Sequence, residues 1–275
     1  MPLSDFVRYL NTQHPLPGAG LRSTTPFVSE AGRVFVNFAN LRLESYFSPI
    51  IDTATGKLTG HAAGLYTIGL KNHQLLEPEA VFVLPGDDAE FIYLDRLVRT
   101  LHALNYLTYL NRHARGTLLL KVHPRHVASV AADHGLAFEE VLRACGLLPK
   151  QITLEIEIDG VDDAAHLVQA IASYKSRGYG IAVGRFGRRA IDFNLLQEIR
   201  PSIVKFDPLL FSSTRPLQRM VDRLHELGAQ VMIGGLDAAA LRRDAQEGGF
   251  DLLQVNAQER APYMSPESPL LSQAA

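Results

Sequence analysis

The stretch QITLEIEIDGVDDAAHLVQAIASYKSRGYGIAVGR, residues 151–185, holds a complete strand–helix–strand unit. Gln151–Ile158 and Tyr179–Arg185 are apolar runs rich in β-branched residues, the composition of strands. Between them Asp162-Asp163 places negative charge at a helix start, and Lys175-Ser176-Arg177-Gly178 closes that helix with bases and a C-terminal glycine. Six further runs read as strands: Leu43–Ile51, Lys57–Ile68, Thr117–Val122, Ser202–Asp207, Ala229–Gly234 and Phe250–Val255. The last five of the eight recur at about 20 to 30 residues, the period of a strand, its returning helix and two short loops. Eight such strands suit a closed barrel, so the predicted fold is an α/β, TIM-like (β/α)8 barrel rather than an open sheet. Asp88–His113 carries Phe91, Leu94, Leu97, Val98, Leu101, Leu104 and Leu107 at helical spacing, so it is predicted to pack along the barrel with its leucines and tyrosines in the core.

Residues 1–40 show no clean period, and His14-Pro15-Leu16-Pro17-Gly18-Ala19-Gly20 reads as a turn-rich connector. They are predicted to form an N-terminal extension, with the barrel domain over 41–264 and a tail over 265–275. Of the 275 residues, 47% are apolar and 20% charged, which supports a large core and excludes disorder. The formal net charge is -2 with both signs interspersed, which argues against nucleic acid as a partner. The single cysteine, Cys145, excludes an internal disulfide framework and fits a reducing cytoplasm. No apolar run approaches the roughly 18 residues of a membrane span, and the N-terminus does not read as a signal peptide.

In a βα barrel, function collects at the C-terminal ends of the strands. The segments there are Gly60-His61-Ala62-Ala63-Gly64-Leu65-Tyr66, Lys121-Val122-His123-Pro124-Arg125, Leu154-Glu155-Ile156-Glu157, Val183-Gly184-Arg185-Phe186-Gly187 and Val204-Lys205-Phe206-Asp207. With Ser48-Pro49-Ile50-Ile51-Asp52, Val231-Met232-Ile233-Gly234-Gly235-Leu236-Asp237 and Gly249-Phe250-Asp251-Leu252-Leu253-Gln254, their order resembles an EAL domain, the phosphodiesterase module that linearises cyclic di-GMP. The resemblance spans about residue 41 to residue 264. It implies a barrel of the EAL type and two divalent metals.

The resemblance also marks what is missing. Ala62 stands for the signature glutamate, Tyr66 for a phosphate-holding arginine, Lys121 for an asparagine ligand, Gly184 and Arg185 for paired aspartates, and Gly234 for another glutamate. Ser48 replaces the first-strand glutamine. Glu155 and Lys205 remain, either as relics of the catalytic set or as an ion pair left in the barrel to satisfy inherited polar positions, so no catalytic residue, metal or cofactor is expected. Residues 155 and 157 share strand parity. Lys121 and Arg185 are accordingly expected to neutralise Glu155 and Glu157 in the place of metals, since unpaired buried charge is costly. Tyr66, Arg125, Arg185 and Gln254 are the residues left for a ligand.

The other chemistry in the sequence has plain readings beside it. His61, His113, His123 and His126 have no zinc-type spacing and are expected to be solvated or capping. Arg185, Arg188 and Arg189 could hold a phosphate or a partner's acidic face, or be a solvated loop. Asp159, Asp192 and Asp237 could rebuild a metal site, although Asp237 also suits a helix N-cap. The resulting expectation is a catalytically inactive regulatory protein that binds another protein in cyclic di-GMP-related bacterial signalling, in motility or biofilm control. A non-hydrolysing cyclic di-GMP receptor is the alternative, followed by an active phosphodiesterase. EAL domains often pair through the region after the fifth strand, here Phe186 to Leu195, so a homodimer is possible.

Overall fold

The computed structural model describes residues 3–13, 26–110, 116–158, 162–188, 192–210, 217–236 and 238–256. The connector at residues 14–20, the tail at 265–275 and the candidate residues His113, Asp159, Arg189 and Asp237 lie outside them.

The chain opens with α1 (Leu3–Gln13), then β1 (Phe27–Glu30), β2 (Arg33–Phe38), β3 (Leu41–Asp52), β4 (Leu58–Gly69) and β5 (Leu75–Leu76). A 3-10 turn over Pro78–Val83 leads into α2 (Asp88–Leu110). Alternation follows: β6 (Thr117–Val122), α3 (Pro124–Ser129), α4 (Leu136–Cys145), β7 (Ile152–Ile156), α5 (Ala164–Ser176) and β8 (Gly180–Phe186). It continues through α6 (Phe193–Ile199), β9 (Ile203–Phe206), α7 (Gln218–Glu226), β10 (Gln230–Leu236), α8 (Ala238–Glu247) and β11 (Leu252–Val255).

Strands β3, β4, β6, β7, β8, β9, β10 and β11 close on themselves, β11 pairing with β3 and β3 with β4. All eight runs expected from the sequence are these strands. One runs against the rest: β3 is antiparallel to both its neighbours, while every other barrel pair is parallel. The cause is the connection. Residues 53–57 are too short for a crossover, and Asp52 Oδ1 accepts from both the backbone and the hydroxyl of Thr55 to hold a tight turn, so β3 and β4 form a hairpin.

Side chains sort by strand parity. Ile50, Ala62, Leu119, Ala182, Met232 and Leu252 form one cluster inside the barrel. Their neighbours in sequence, including Leu118, Leu120, Ile181, Val183, Ile233 and Leu253, pack outward with Leu142, Leu167, Ile171, Leu196 and Leu224 from the surrounding helices. A third cluster joins α1, the β1–β2 hairpin and α2 through Phe6, Leu10, Phe27, Val36, Leu94, Leu101 and Leu104.

The hairpin is built onto the barrel's own sheet, β2 pairing with β3. Two asparagine amides finish its ladder. Asn105 on α2 donates to the Val34 carbonyl at 2.7 Å and accepts from the Val34 N–H at 2.9 Å. Asn11 on α1 does the same for Phe27 at the outer edge of β1, at 2.9 and 3.1 Å. Each amide thus supplies the donor and the acceptor that a further strand would have offered.

Candidate functional site at the barrel mouth

Two residues beyond the interior cluster, the same parity carries Leu119 to Lys121, Ala182 to Gly184, Ile203 to Lys205, Met232 to Gly234 and Leu252 to Gln254. Glu155 of β7 faces the same way and is 3% exposed. Its carboxylate is held by Lys205 of β9, whose Nζ donates to the two oxygens at 3.0 and 3.2 Å. Strand β8 lies between those two strands. They meet across it because Gly184 has no side chain: a Cβ there would sit 2.7 Å from Glu155 Oε1 and 2.9 Å from its Cγ. Gly234 on β10 does the same between β9 and β11, where a Cβ would come within 3.2 Å of Lys205 Cε and 3.4 Å of Gln254. Burial alone would push the Glu155 carboxyl up. The ammonium groups of Lys205 and Lys121, the Lys205 hydrogen bond and Arg185 together hold it below its ordinary value.

Glu157 and Arg185 pair separately. The β8–β9 register slips between Val183 and Phe186, and Arg185 takes a left-handed backbone, φ 50°, within that irregularity. The slip turns its guanidinium over the rim, 3.2 Å from Glu157 and 3.9 Å from Glu79. Lys121, the register partner of Glu155, is exposed and has no acidic partner within 4 Å among the described residues. Glu155 is therefore paired with Lys205 across β8, one of the two readings the sequence offered, rather than with the neighbouring Lys121.

These side chains line a cleft of about 470 Å³. Lys121, Glu155, Glu157, Arg185, Lys205 and Gln254 all border it; Tyr66 and Arg125 do not. Tyr66 packs on Tyr46, ring centroids 4.6 Å apart, and Tyr46 forms the wall instead. Arg125 is drawn away to Asp88, at 2.8 Å, over the ring of Phe91. The oxygen of the Gln254 amide is buried without a hydrogen-bond partner among the described residues.

The cleft extends sideways to α2, a part the sequence reading missed. Asp95, Val98 and His102 border it there, with Glu79 and Phe82 from the 3-10 turn. Asp95 accepts from Arg99 at 2.8 Å and from the His123 N–H at 3.2 Å, and His102 Nδ1 lies 2.8 Å from the Ser45 hydroxyl. The available signal was polar residues at 95, 99 and 102, an i, i+4, i+7 stripe inside an otherwise apolar helix face. Burial pushes the His102 imidazole down to about 3, with Asp95 opposing, and does the same for His126.

Of the four histidines weighed for zinc, His123 is the N-cap of α3, its Nδ1 accepting from Arg125 N. His61 and His126 are 1% and 2% exposed, so they are not solvated: the first packs edge-on against Tyr106 and Tyr109, and the second accepts from Arg99. Asp192 caps α6. Among the described residues, no three His, Cys, Asp or Glu side chains gather as a metal site, and no helix is long and apolar enough to cross a membrane.

A parallel βα barrel with one reversed strand and a cleft at its strand ends defines the architectural class. Within it, residues 32–255 match the EAL domain family, and the chain belongs to that family. Among solved structures it is similar to Bd1971, an EAL enzyme with cAMP and cyclic di-GMP bound, at 18% identity and a TM-score of 0.68, covering 78% of this chain and 60% of that one. It is similar also to the PaMucR phosphodiesterase in complex with c-di-GMP, at 16% identity and a TM-score of 0.66, covering 78% and 93%. A third is a standalone versatile EAL protein from Vibrio cholerae O395 in its c-di-GMP bound form, at 19% identity and a TM-score of 0.63, covering 78% and 90%. Compared by sequence, no curated protein matches the chain.

Proposed function

We propose that this chain does not hydrolyse cyclic di-GMP and instead acts as a regulatory protein, binding another protein in cyclic di-GMP-related bacterial signalling. The observation that carries the reading is the barrel mouth, where Ala62, Lys121, Gly184 and Gly234 leave Glu155 as the one carboxylate at a ligand position and no three His, Cys, Asp or Glu side chains gather among the described residues. Two-metal phosphoryl chemistry needs several oxygen ligands to hold divalent ions about 3.5–4 Å apart. At the positions where the family places such ligands stand Ala62, Lys121, Gly184, Arg185 and Gly234, and the remaining carboxylate already faces an ammonium. This donor set does not fit a divalent pair. The reading places the barrel domain at 41–264, with residues 1–40 as an N-terminal extension whose β1–β2 hairpin is built onto the sheet and 265–275 as a tail, in a reducing cytoplasm.

Calorimetry with magnesium, manganese and calcium tests the claim: no binding is expected, and micromolar affinity for any of them would overturn it. A receptor for cyclic di-GMP is the second reading. The cleft and the unpartnered Gln254 oxygen favour it, because a ligand could enter the one and donate to the other. Nanomolar to low-micromolar binding of cyclic di-GMP without turnover would put that reading first.

A further inference from the structure

The sheet has two ends, and only one is closed. At β1 the Asn11 amide occupies the outward backbone groups of Phe27, and α1 lies against the strand. At the other end β5 pairs inward with β4, Ile68 with Leu75 and Thr67 with Leu76, and no element among the described residues pairs with its outer edge. The surface beside that open edge is apolar: Leu70 is 40% exposed, Leu75 46% and Val83 80%. It is also held in shape. The 3-10 turn begins at Pro78, Val81 is buried, and Phe82 stacks on His123 at 5.5 Å, so Val83 is left pointing out of a fixed turn. Residues 70–90 carry five acids against one lysine, Lys71; Glu79 and Asp88 face Arg185 and Arg125, and Glu77, Asp87 and Glu90 set the sign of this surface.

We infer that this edge is the surface on which a partner protein docks, and that it takes an extended segment that is both apolar and basic. The inference rests on the proposed protein-binding role and assigns it a place and a chemistry. The outer edge of the two-residue β5 offers an added segment one residue's N–H and C=O as a starting point, and the flanking apolar residues receive its alternate side chains. The acids choose the sign of the rest, since opposite charges across an interface speed encounter and like charges exclude wrong partners. A second copy of this chain is a poor occupant for the same reason, because β5 against β5 would set these acids against themselves.

Panning a displayed library of random peptides on the full chain, followed by fluorescence anisotropy with the enriched peptides, tests this. The enriched sequences should combine Leu, Ile, Val or Phe with an excess of Lys and Arg, and should bind more weakly as salt rises. Their affinity should fall about tenfold in Val83→Ser and again in Glu77→Lys, and be unchanged in Leu209→Ser, an exposed apolar residue that is 75% accessible and lies on another strand's end. No enrichment, enrichment of neutral or acidic peptides, loss of binding with Leu209→Ser alone, or a dimer that disappears in Val83→Ser would each overturn it. Turnover of cyclic di-GMP would sink the non-catalytic reading, whereas these outcomes bear on the docking edge alone.

Discussion

Removing the Glu155 carboxylate strands the Lys205 ammonium at a position where its side chain is 13% exposed. Glu155→Gln is therefore expected to cost about 3 kcal/mol or more in urea denaturation, and so is Lys205→Met. The double substitution Glu155→Gln with Lys205→Met should be less destabilised than the two added together, because it leaves no buried charge; strict additivity would contradict the pairing. Gly184→Asp is expected to lose about 1–3 kcal/mol, since its Cβ would press on the Glu155 carboxylate. The identities of these residues were legible in the sequence, because strand ends in a barrel can be read in order. The Arg185–Glu157 pair and, as the plain reading of the two relics, the Lys205–Glu155 pair were legible too; the path between the latter was not. Register puts Lys121 beside Glu155, but it could not reveal that a glycine opens a path from β7 over β8 to Lys205.

At the scale of the element, α2 does more than cover the barrel. Its Asn105 ties down the β1–β2 hairpin, so Asn105→Leu should leave both Val34 backbone groups unpaired and lose about 1–3 kcal/mol, with faster amide exchange at Val34 as the local sign. His102 on α2 and His126 on α3 stay neutral in the fold down to about pH 3. An unfolded histidine takes up its proton near 6.5. Between those values the unfolded chain binds more protons, so stability should fall as pH falls, by up to about 1.4 kcal/mol per pH unit for each histidine. His102→Gln should flatten that slope in pH-dependent thermal denaturation. The strands of the barrel could be read because apolar runs and helix caps repeat at a steady period. The hairpin could not, since β1 is a four-residue strand and half of its ladder is completed by side chains from α1 and α2.

Over the whole molecule, the closed barrel with its reversed β3 gathers strand ends around one cleft, bordered by paired charges and by the exposed ammonium of Lys121. Lys205 neutralises Glu155, Arg185 neutralises Glu157, and Arg99 neutralises Asp95. Among the described residues the barrel keeps its architecture without a cluster of three metal-ligating side chains. The fold was legible as a whole because burial acts on every strand alike, whereas the cleft's sideways reach to α2 depends on how one helix seats against β2, β3 and β6. The most direct test of the account is incubation of the full chain with cyclic di-GMP and manganese, with product followed by chromatography beside an active EAL phosphodiesterase. The account predicts intact cyclic dinucleotide throughout; accumulation of the linear dinucleotide by the purified chain, abolished by Glu155→Gln, would contradict it.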